Sequence, residues 1–304
     1  MQISKSLSER VECVHGELGR AWLEKLPALV EECRDRWSLK LGQPFANLSY
    51  NFALPATGSD GVERVLKLGV PCRELFTEAA ALRLFGGVGA VRLLDHEASR
   101  GTLLMERVIP GAPIHTLQSE PEATRTAATL MRELWRTPPA NHAFPPLVDW
   151  FQAFARLREN FAGGCGPFPV ELIDKAERTF VELNTSTVST VVLHGDLHHE
   201  NILYSDERGW LAIDPKGICG DPAYEIGPFM LNQLPAGDSE SATMEILKQR
   251  LEKFSDELEV SQSRLAQWSF CHAVLSAVWD FEESAEWRPT MRLALMLEHL
   301  AKVS

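Results

Sequence analysis

Residues 191–217 constrain this 304-residue chain more than any other stretch. Val191, Val192 and Leu193 are apolar and mostly β-branched, as a buried strand requires. Gly195 breaks the run, and Asp196 and Asn201 follow on the loop. Ile202–Tyr204 and Trp210–Ile213 flank Ser205, Asp206, Glu207, Arg208 and Gly209, a segment with hairpin-loop character. That hairpin is expected to set Asn201 and Asp214 at neighbouring strand ends, although they are distant in sequence.

Three oxygen-bearing side chains gathered in this way suit phosphoryl transfer. Magnesium takes few carboxylate and carbonyl ligands and keeps its other positions for phosphate and water. Asn201 and Asp214 are the expected metal oxygens, and Asp196 stands free to accept a hydroxyl proton. Kinase catalytic loops have the same layout: an Asp, four residues, a metal-binding Asn, then a second metal-binding Asp.

The wording of the stretch carries a family likeness. His194-Gly-Asp196-Leu-His198-x-x-Asn201, followed by Ile213-Asp214, resembles the aminoglycoside phosphotransferase and choline kinase group. With Asp214-Pro-Lys216-Gly217 and Gly220-Asp221-Pro222-Ala-Tyr224-Glu225 included, the likeness is nearest to the streptomycin 6-kinase and hydroxyurea kinase branch. It runs from about Phe45 to the C-terminal helices. It implies an α+β, two-lobed protein-kinase-like fold, ATP and Mg2+ as cofactors, and a small hydroxylated acceptor. Another small metabolite, such as an amino alcohol or a sugar derivative, is the alternative acceptor. A zinc cluster of His194, Asp196, His198 and His199 is a competing reading, but it leaves Asn201, Asp214 and Lys67 without a role.

Charge and cysteines exclude several classes. A net charge of −12 argues against a general nucleic-acid binder and suits a cationic small molecule. Six scattered cysteines without a C-x-x-C pair fit reduced thiols in a cytoplasmic protein. Lys5, Glu9, Arg10 and Glu12 stand where a signal peptide needs an apolar run, and no apolar stretch is long enough to span a membrane. A monomer or a dimer is expected.

Residues 6–24 are expected to form a helix opened by a Ser6/Glu9 capping box. A second apolar stripe runs through Leu26, Leu29, Val30, Cys33 and Trp37, and both helices are expected to pack on the small lobe. Strands are expected at 38–45, 49–55, 64–70, 90–94 and 101–108, as a five-stranded antiparallel sheet. Lys67 lies in an apolar strand, and Glu78 lies on a helix starting near Arg73. Their order matches the kinase lysine and its helix glutamate; a snorkelling edge lysine is the bland alternative. Gly86 and Gly87 end that helix.

A kinase fold places its phosphate-covering loop at 46–51. The Gly-rich motif of protein kinases is missing there, and Asn47 and Ser49 would offer amide and hydroxyl groups instead; a plain hairpin turn is equally compatible. The resemblance makes the segment through Glu106 and Val108 a hinge whose backbone receives the nucleobase. Pro110, Gly111 and Pro113 mark a break, dividing an N-terminal lobe, 1–108, from a helical lobe with the substrate site, 109–304. Helices are expected at 123–135, 148–160 and 170–183. Asp221 before Pro222 reads as an N-cap, with a second role beneath the catalytic loop implied by the resemblance. Lys216 is expected to meet the γ-phosphate or to shape its turn.

A last helix from about Ser263 is expected to carry Asp280, Glu282, Glu283 and Glu286 in its final turns. Carboxylates there oppose the helix dipole. They form a solvated face, or they collect a cationic acceptor on which Trp279 and Trp287 stack. The complete set Lys67, Glu78, Asp196, Asn201 and Asp214 argues against a silent pseudokinase. Only six residues between Asp214 and Asp221 leave no room for a protein kinase's activation loop.

Overall fold

The computed structural model describes residues 3–46, 48–234, 239–284 and 286–303. Helix α1 (Lys5–Arg36) is capped by Ser4, whose hydroxyl accepts from the Leu7 N–H; the expected Ser6 cap lies two residues too far in. The expected break between two helices is displaced as well. The helix runs on through Pro27 and kinks instead at Gly16, whose φ of 55° and ψ of −131° suit a residue without Cβ.

Strands β1 (Lys40–Leu41), β2 (Phe52–Thr57), β3 (Glu63–Leu68), β4 (Leu93–Glu97) and β5 (Thr102–Glu106) form an antiparallel sheet ordered β1-β2-β3-β5-β4. The strand expected at 38–45 shrinks to two residues because Gly42 and Pro44 follow it. The strand expected at 90–94 starts three residues later, on a polar edge of Asp95, His96 and Glu97. Side-chain alternation splits β3 between two cores. Leu66 and Leu68 pack with Phe52, Leu54 and Leu104 under α1. Val65, Leu103 and Met105 face α2 (Arg73–Phe85) and join the large core that continues into the helical half of the chain. Lys67 shares that second face, in a strand paired on both sides with Ala53 and Leu103.

Strand β6 (Pro110–Pro113) follows, where a break was expected. It pairs with β8 (Ile202–Ser205), which pairs with β9 (Gly209–Ala212). A proline-bounded strand is tolerated there because it lies at a sheet edge. Helices α3 (Glu120–Leu134), α4 (Val148–Asn160) and α5 (Val170–Thr185) come next, each with an apolar face. Strand β7 (Val191–Leu193) pairs with β10 (Ile218–Gly220), so the segment holding the β8–β9 hairpin is closed at its base by a separate ladder. The chain ends in α6 (Gly227–Leu231), α7 (Glu240–Leu258), α8 (Gln262–Glu283) and α9 (Arg288–Val303). Helix α8 is buried nearly all round, as the centre of a helical core should be. Among the described residues no helix is long and apolar enough to cross a membrane.

Candidate active site

Two elements meet at Lys67. Its Nζ lies 2.7 Å from Glu78 Oε1 on α2 and 3.1 Å from Asp214 Oδ1 beyond β9. Lys67 and Glu78 are each 4% exposed, which removes the edge-lysine alternative. Burial alone would discharge the ammonium, but Asp214 and Glu78 more than offset it and raise its pKa. Burial also works against the Asp214 carboxylate, yet Lys67 and Lys216 hold it below the ordinary value. The Glu78 carboxyl is pushed up to about 7 by burial, despite Lys67. Asp214 sits at φ 59°, a left-handed conformation that Asp tolerates better than most side chains.

The loop after β7 is held from three directions. The His194 ring is fully buried, with Nε2 at 2.8 Å from the Ile213 carbonyl and Nδ1 at 3.2 Å from the Asp196 N–H. Nε2 therefore carries the proton, and burial lowers the pKa to about 3, so the ring stays neutral. From beneath, buried Glu225 accepts from the N–H groups of His194 and Gly195, at 2.8 Å each. That is the supporting role suggested for Asp221. Asp221 instead caps its own 3-10 turn through the Ala223 N–H and pairs with Arg264. The Asn201 amide nitrogen donates to the Asp196 carbonyl at 2.9 Å, which fixes the orientation of the side-chain amide. The Ile213 N–H donates to the Asn201 carbonyl at 3.0 Å, so the hairpin brings Asn201 beside Asp214 as its pattern suggested.

The histidines do not converge on a metal. His199 stacks on Phe229 and lies 3.3 Å from Arg250, while His198 accepts from the Glu200 N–H. Among the described residues no group of three or more His, Cys, Asp and Glu side chains could hold a metal ion.

A cavity of about 570 Å3 opens beside the loop. Asp196 and Lys216 form one wall, and Trp279, Asp280 and Glu283 of α8 form another. Burial raises the Asp196 pKa, against the pull of Lys216 and His198. Lys216 pairs with Glu74 of α2, and its own carbonyl accepts from Thr77 at 2.6 Å, so the turn after Asp214 is tied to the helix carrying Glu78. Trp279 stands edge-on to Trp150 at 5.5 Å. The acidic group divides. Helix α8 stops at Glu283, Glu286 lies beyond it, and Glu282 faces Arg156 at 3.9 Å, outside the cavity. Trp287 is also outside it, buried against Phe168 at 4.6 Å.

The remaining expectations meet mixed surroundings. Asn47 lies outside the described residues. Ser49 is exposed, and its carbonyl accepts from Arg10. The Glu106 N–H is taken by the Arg92 carbonyl and its side chain by Arg208, so only its carbonyl remains for a hinge contact. Among the described residues the Val108 N–H has no backbone partner.

The model of the aminoglycoside/hydroxyurea antibiotic resistance kinase family matches residues 36–284. The chain belongs to this family. It is 30% identical to the streptomycin 6-kinase of Streptomyces griseus, over 93% of this chain and 92% of that one. It is also 30% identical to the hydroxyurea phosphotransferase of Kitasatospora aureofaciens, over 92% and 80%. The fold of this resistance-family kinase recurs in an aminoglycoside phosphotransferase solved as a ternary complex with ADP and hygromycin B (TM-score 0.63, 13% identity, 90% of this chain and 97% of that chain). A choline/ethanolamine kinase family protein from Mesorhizobium loti shares it too, with TM-score 0.62, 14% identity, and 90% and 99% coverage. As a kinase of this family the chain uses a nucleotide and a small hydroxylated acceptor. The kinase has supporting residues that sequence reasoning missed. Glu225 was visible only as the end of the Ala-Tyr-Glu wording. Arg250 is fully buried and ties Glu120 to the carbonyls of Phe229 and Asn232, next to cavity-lining Pro228 and Leu231.

Proposed function

We propose that this kinase transfers the ATP γ-phosphoryl group to a hydroxyl of a cationic aminocyclitol antibiotic of the streptomycin type, and so confers resistance. The observation that carries this reading is that Asp196, Trp279, Asp280 and Glu283 line one cavity. A proton acceptor, an aromatic face and two carboxylates suit an alcohol with amino or guanidinium groups. Hydroxyurea is small and neutral and offers the two carboxylates no cationic partner.

Asp196 takes the proton of the acceptor hydroxyl as its oxygen bonds to the γ-phosphorus and ADP departs. A carboxyl with a raised pKa is a better proton acceptor than an ordinary one. Lys67, held by Glu78, grips the α- and β-phosphates. Lys216 reaches the γ-phosphate from its place beside Glu74. Asn47 and Ser49 cover the phosphates, and the Glu106 carbonyl and Val108 N–H receive the base. The lobes divide as 1–108 and 109–304, and the enzyme works in the cytoplasm, where ATP is. Asn201 and Asp214 fit magnesium: one amide oxygen is aimed by the bond its nitrogen makes, and one carboxylate is kept ionised. Magnesium supplies charge neutralisation at the phosphates. The protein's own part is positioning and fixed charge.

The test is direct. Purified protein is incubated with ATP and magnesium, and with streptomycin or hydroxyurea. A phosphorylated streptomycin, seen as the mass gain of one phosphoryl group, is expected. Phosphorylation of hydroxyurea alone would overturn the acceptor, and ADP formation with neither would overturn the transfer.

A further inference from the structure

The loop before β2 reaches across to the end of α8. The Tyr50 hydroxyl donates to Glu283 Oε2 at 2.8 Å, joining the sheet half of the molecule to the end of α8. Both residues line the cavity that also holds Asp196. The loop is itself held by the N-terminal helix. Arg10 Nε donates to the Ser49 carbonyl at 3.0 Å, and its Nη2 donates to the Leu48 carbonyl. Val14 and His15 of the same helix reach the cavity wall, just before the kink at Gly16.

We propose that Tyr50 is a specificity-determining residue for the acceptor: it fixes Glu283 so that Oε1 accepts an N–H of a cationic acceptor, while its ring roofs the cavity. Arg10 is the positioning residue that holds Tyr50 in place. The inference rests on the acceptor chemistry proposed above. A long carboxylate side chain at a helix end has rotamer freedom to lose. A bond to one oxygen removes part of that freedom before the ligand arrives, which lowers the cost of binding. The phenol is suited to this, because burial and the contact with Glu283 push its pKa up to about 12, so it remains a donor at any working pH. A loop that served the phosphates alone would have no reason to place an aromatic side chain on a carboxylate of α8.

The experiment is a calorimetric titration of streptomycin, and separately of ADP with magnesium, into the full-length protein and its variants. Tyr50→Phe keeps the ring and loses only the hydroxyl. It is expected to weaken streptomycin binding roughly tenfold, the usual factor for one hydrogen bond to a charged group, with ADP affinity unchanged. Arg10→Ala is expected to act in the same direction, raising the acceptor KM more than it lowers kcat, with Arg10→Lys restoring most of the loss. Thermal unfolding of each variant is compared with the parent to exclude misfolding. Weaker ADP binding with unchanged streptomycin binding would overturn the inference and leave the loop as a phosphate cover. Streptomycin binding that is equal in parent and Tyr50→Phe would overturn it while sparing the acceptor reading. A parent that binds ADP but not streptomycin refutes both.

Discussion

Glu225 makes a prediction that separates stability from catalysis. Its carboxyl is fully buried beneath the catalytic loop and accepts from two backbone N–H groups. Burial, only partly offset by those two bonds, pushes its pKa from 4.5 up to about 7. The folded state therefore keeps a proton that the unfolded chain has released between these values. Its contribution to stability is complete below pH 4.5 and is lost as pH rises through 7. At about 1.4 kcal/mol per pH unit, that loss amounts to about 3 kcal/mol. Glu225→Gln does not titrate. It also turns an NH2 group toward one of the two N–H donors, which costs about 1–3 kcal/mol for the donor left unsatisfied.

Urea unfolding at pH 5, 6.5 and 8, followed by tryptophan fluorescence, would read both effects. At pH 5 the variant should be less stable than the parent by about 1–3 kcal/mol. By pH 8 the gap should close or invert, because only the parent has lost stability. Turnover should fall at every pH, by up to roughly 100-fold, since the loop carrying Asp196 is no longer held from below. A parent–variant difference that stays constant from pH 5 to 8 would refute the reasoning, because it would place the titration elsewhere.

Other perturbations read other parts of the site. Asp196→Asn should lower kcat by roughly 100-fold or more with ADP affinity nearly intact; near-normal turnover would leave positioning alone to carry the rate. Asp214→Ala should weaken ATP binding in magnesium far more than in EDTA, where only its pairing with Lys67 is lost; an equal change in both would remove Asp214 from the metal site. The double variant Asp280→Asn, Glu283→Gln should raise the streptomycin KM more at low salt than at high, because salt screens charges over about 8–10 Å. A salt-independent KM would mean that these carboxylates do not act on the acceptor through charge. Gly16→Ala should lower the melting temperature by several degrees, since φ 55° with ψ −131° strains any residue with a Cβ; an unchanged melting temperature would mean that α1 straightens without cost.

What the sequence made legible was local. Asp196, Asn201 and Asp214 sit on one short loop and one hairpin, so their meeting follows from a strand, a break and a turn. Lys67 was legible because a lone lysine amid Val65, Leu66 and Leu68 needs a buried partner, and α2 offered Glu78 eleven residues on. Helix 148–160 was legible to the residue, because apolar periodicity, an acidic first turn and a basic last turn coincide. Where these local signals conflicted, the expected boundaries moved. Pro27 signals a helix stop, but Leu26, Leu29 and Val30 bury enough surface under the sheet to carry the helix through it.

The α8 side of the cavity, the proposed acceptor side, was legible only in part, for a physical reason. Four carboxylates near a helix end look alike in sequence, and only packing decides which of them face a cavity. Arg156 draws Glu282 outward, and Glu286 falls past the last turn. Asp280 and Glu283 lie three residues apart, on the face of α8 that also presents His272, Ser276 and Trp279 to the cavity. The bond between Tyr50 and Glu283 joins residues 233 positions apart, so no spacing rule reaches it. The N-terminal helix read as plain packing because Leu7, Val11, Leu26, Leu29 and Val30 are ordinary core residues; its further contribution lies in Arg10, which holds the loop, and in Val14 and His15, which line the cavity. Asp196, Asn201 and Asp214 are held by one short loop and one hairpin, whereas the cavity wall joins residues of α1, the loop before β2 and α8 that lie far apart in sequence. A sequence therefore declares its chemistry before its substrate, and the contacts that choose the substrate have to be sought where distant elements touch.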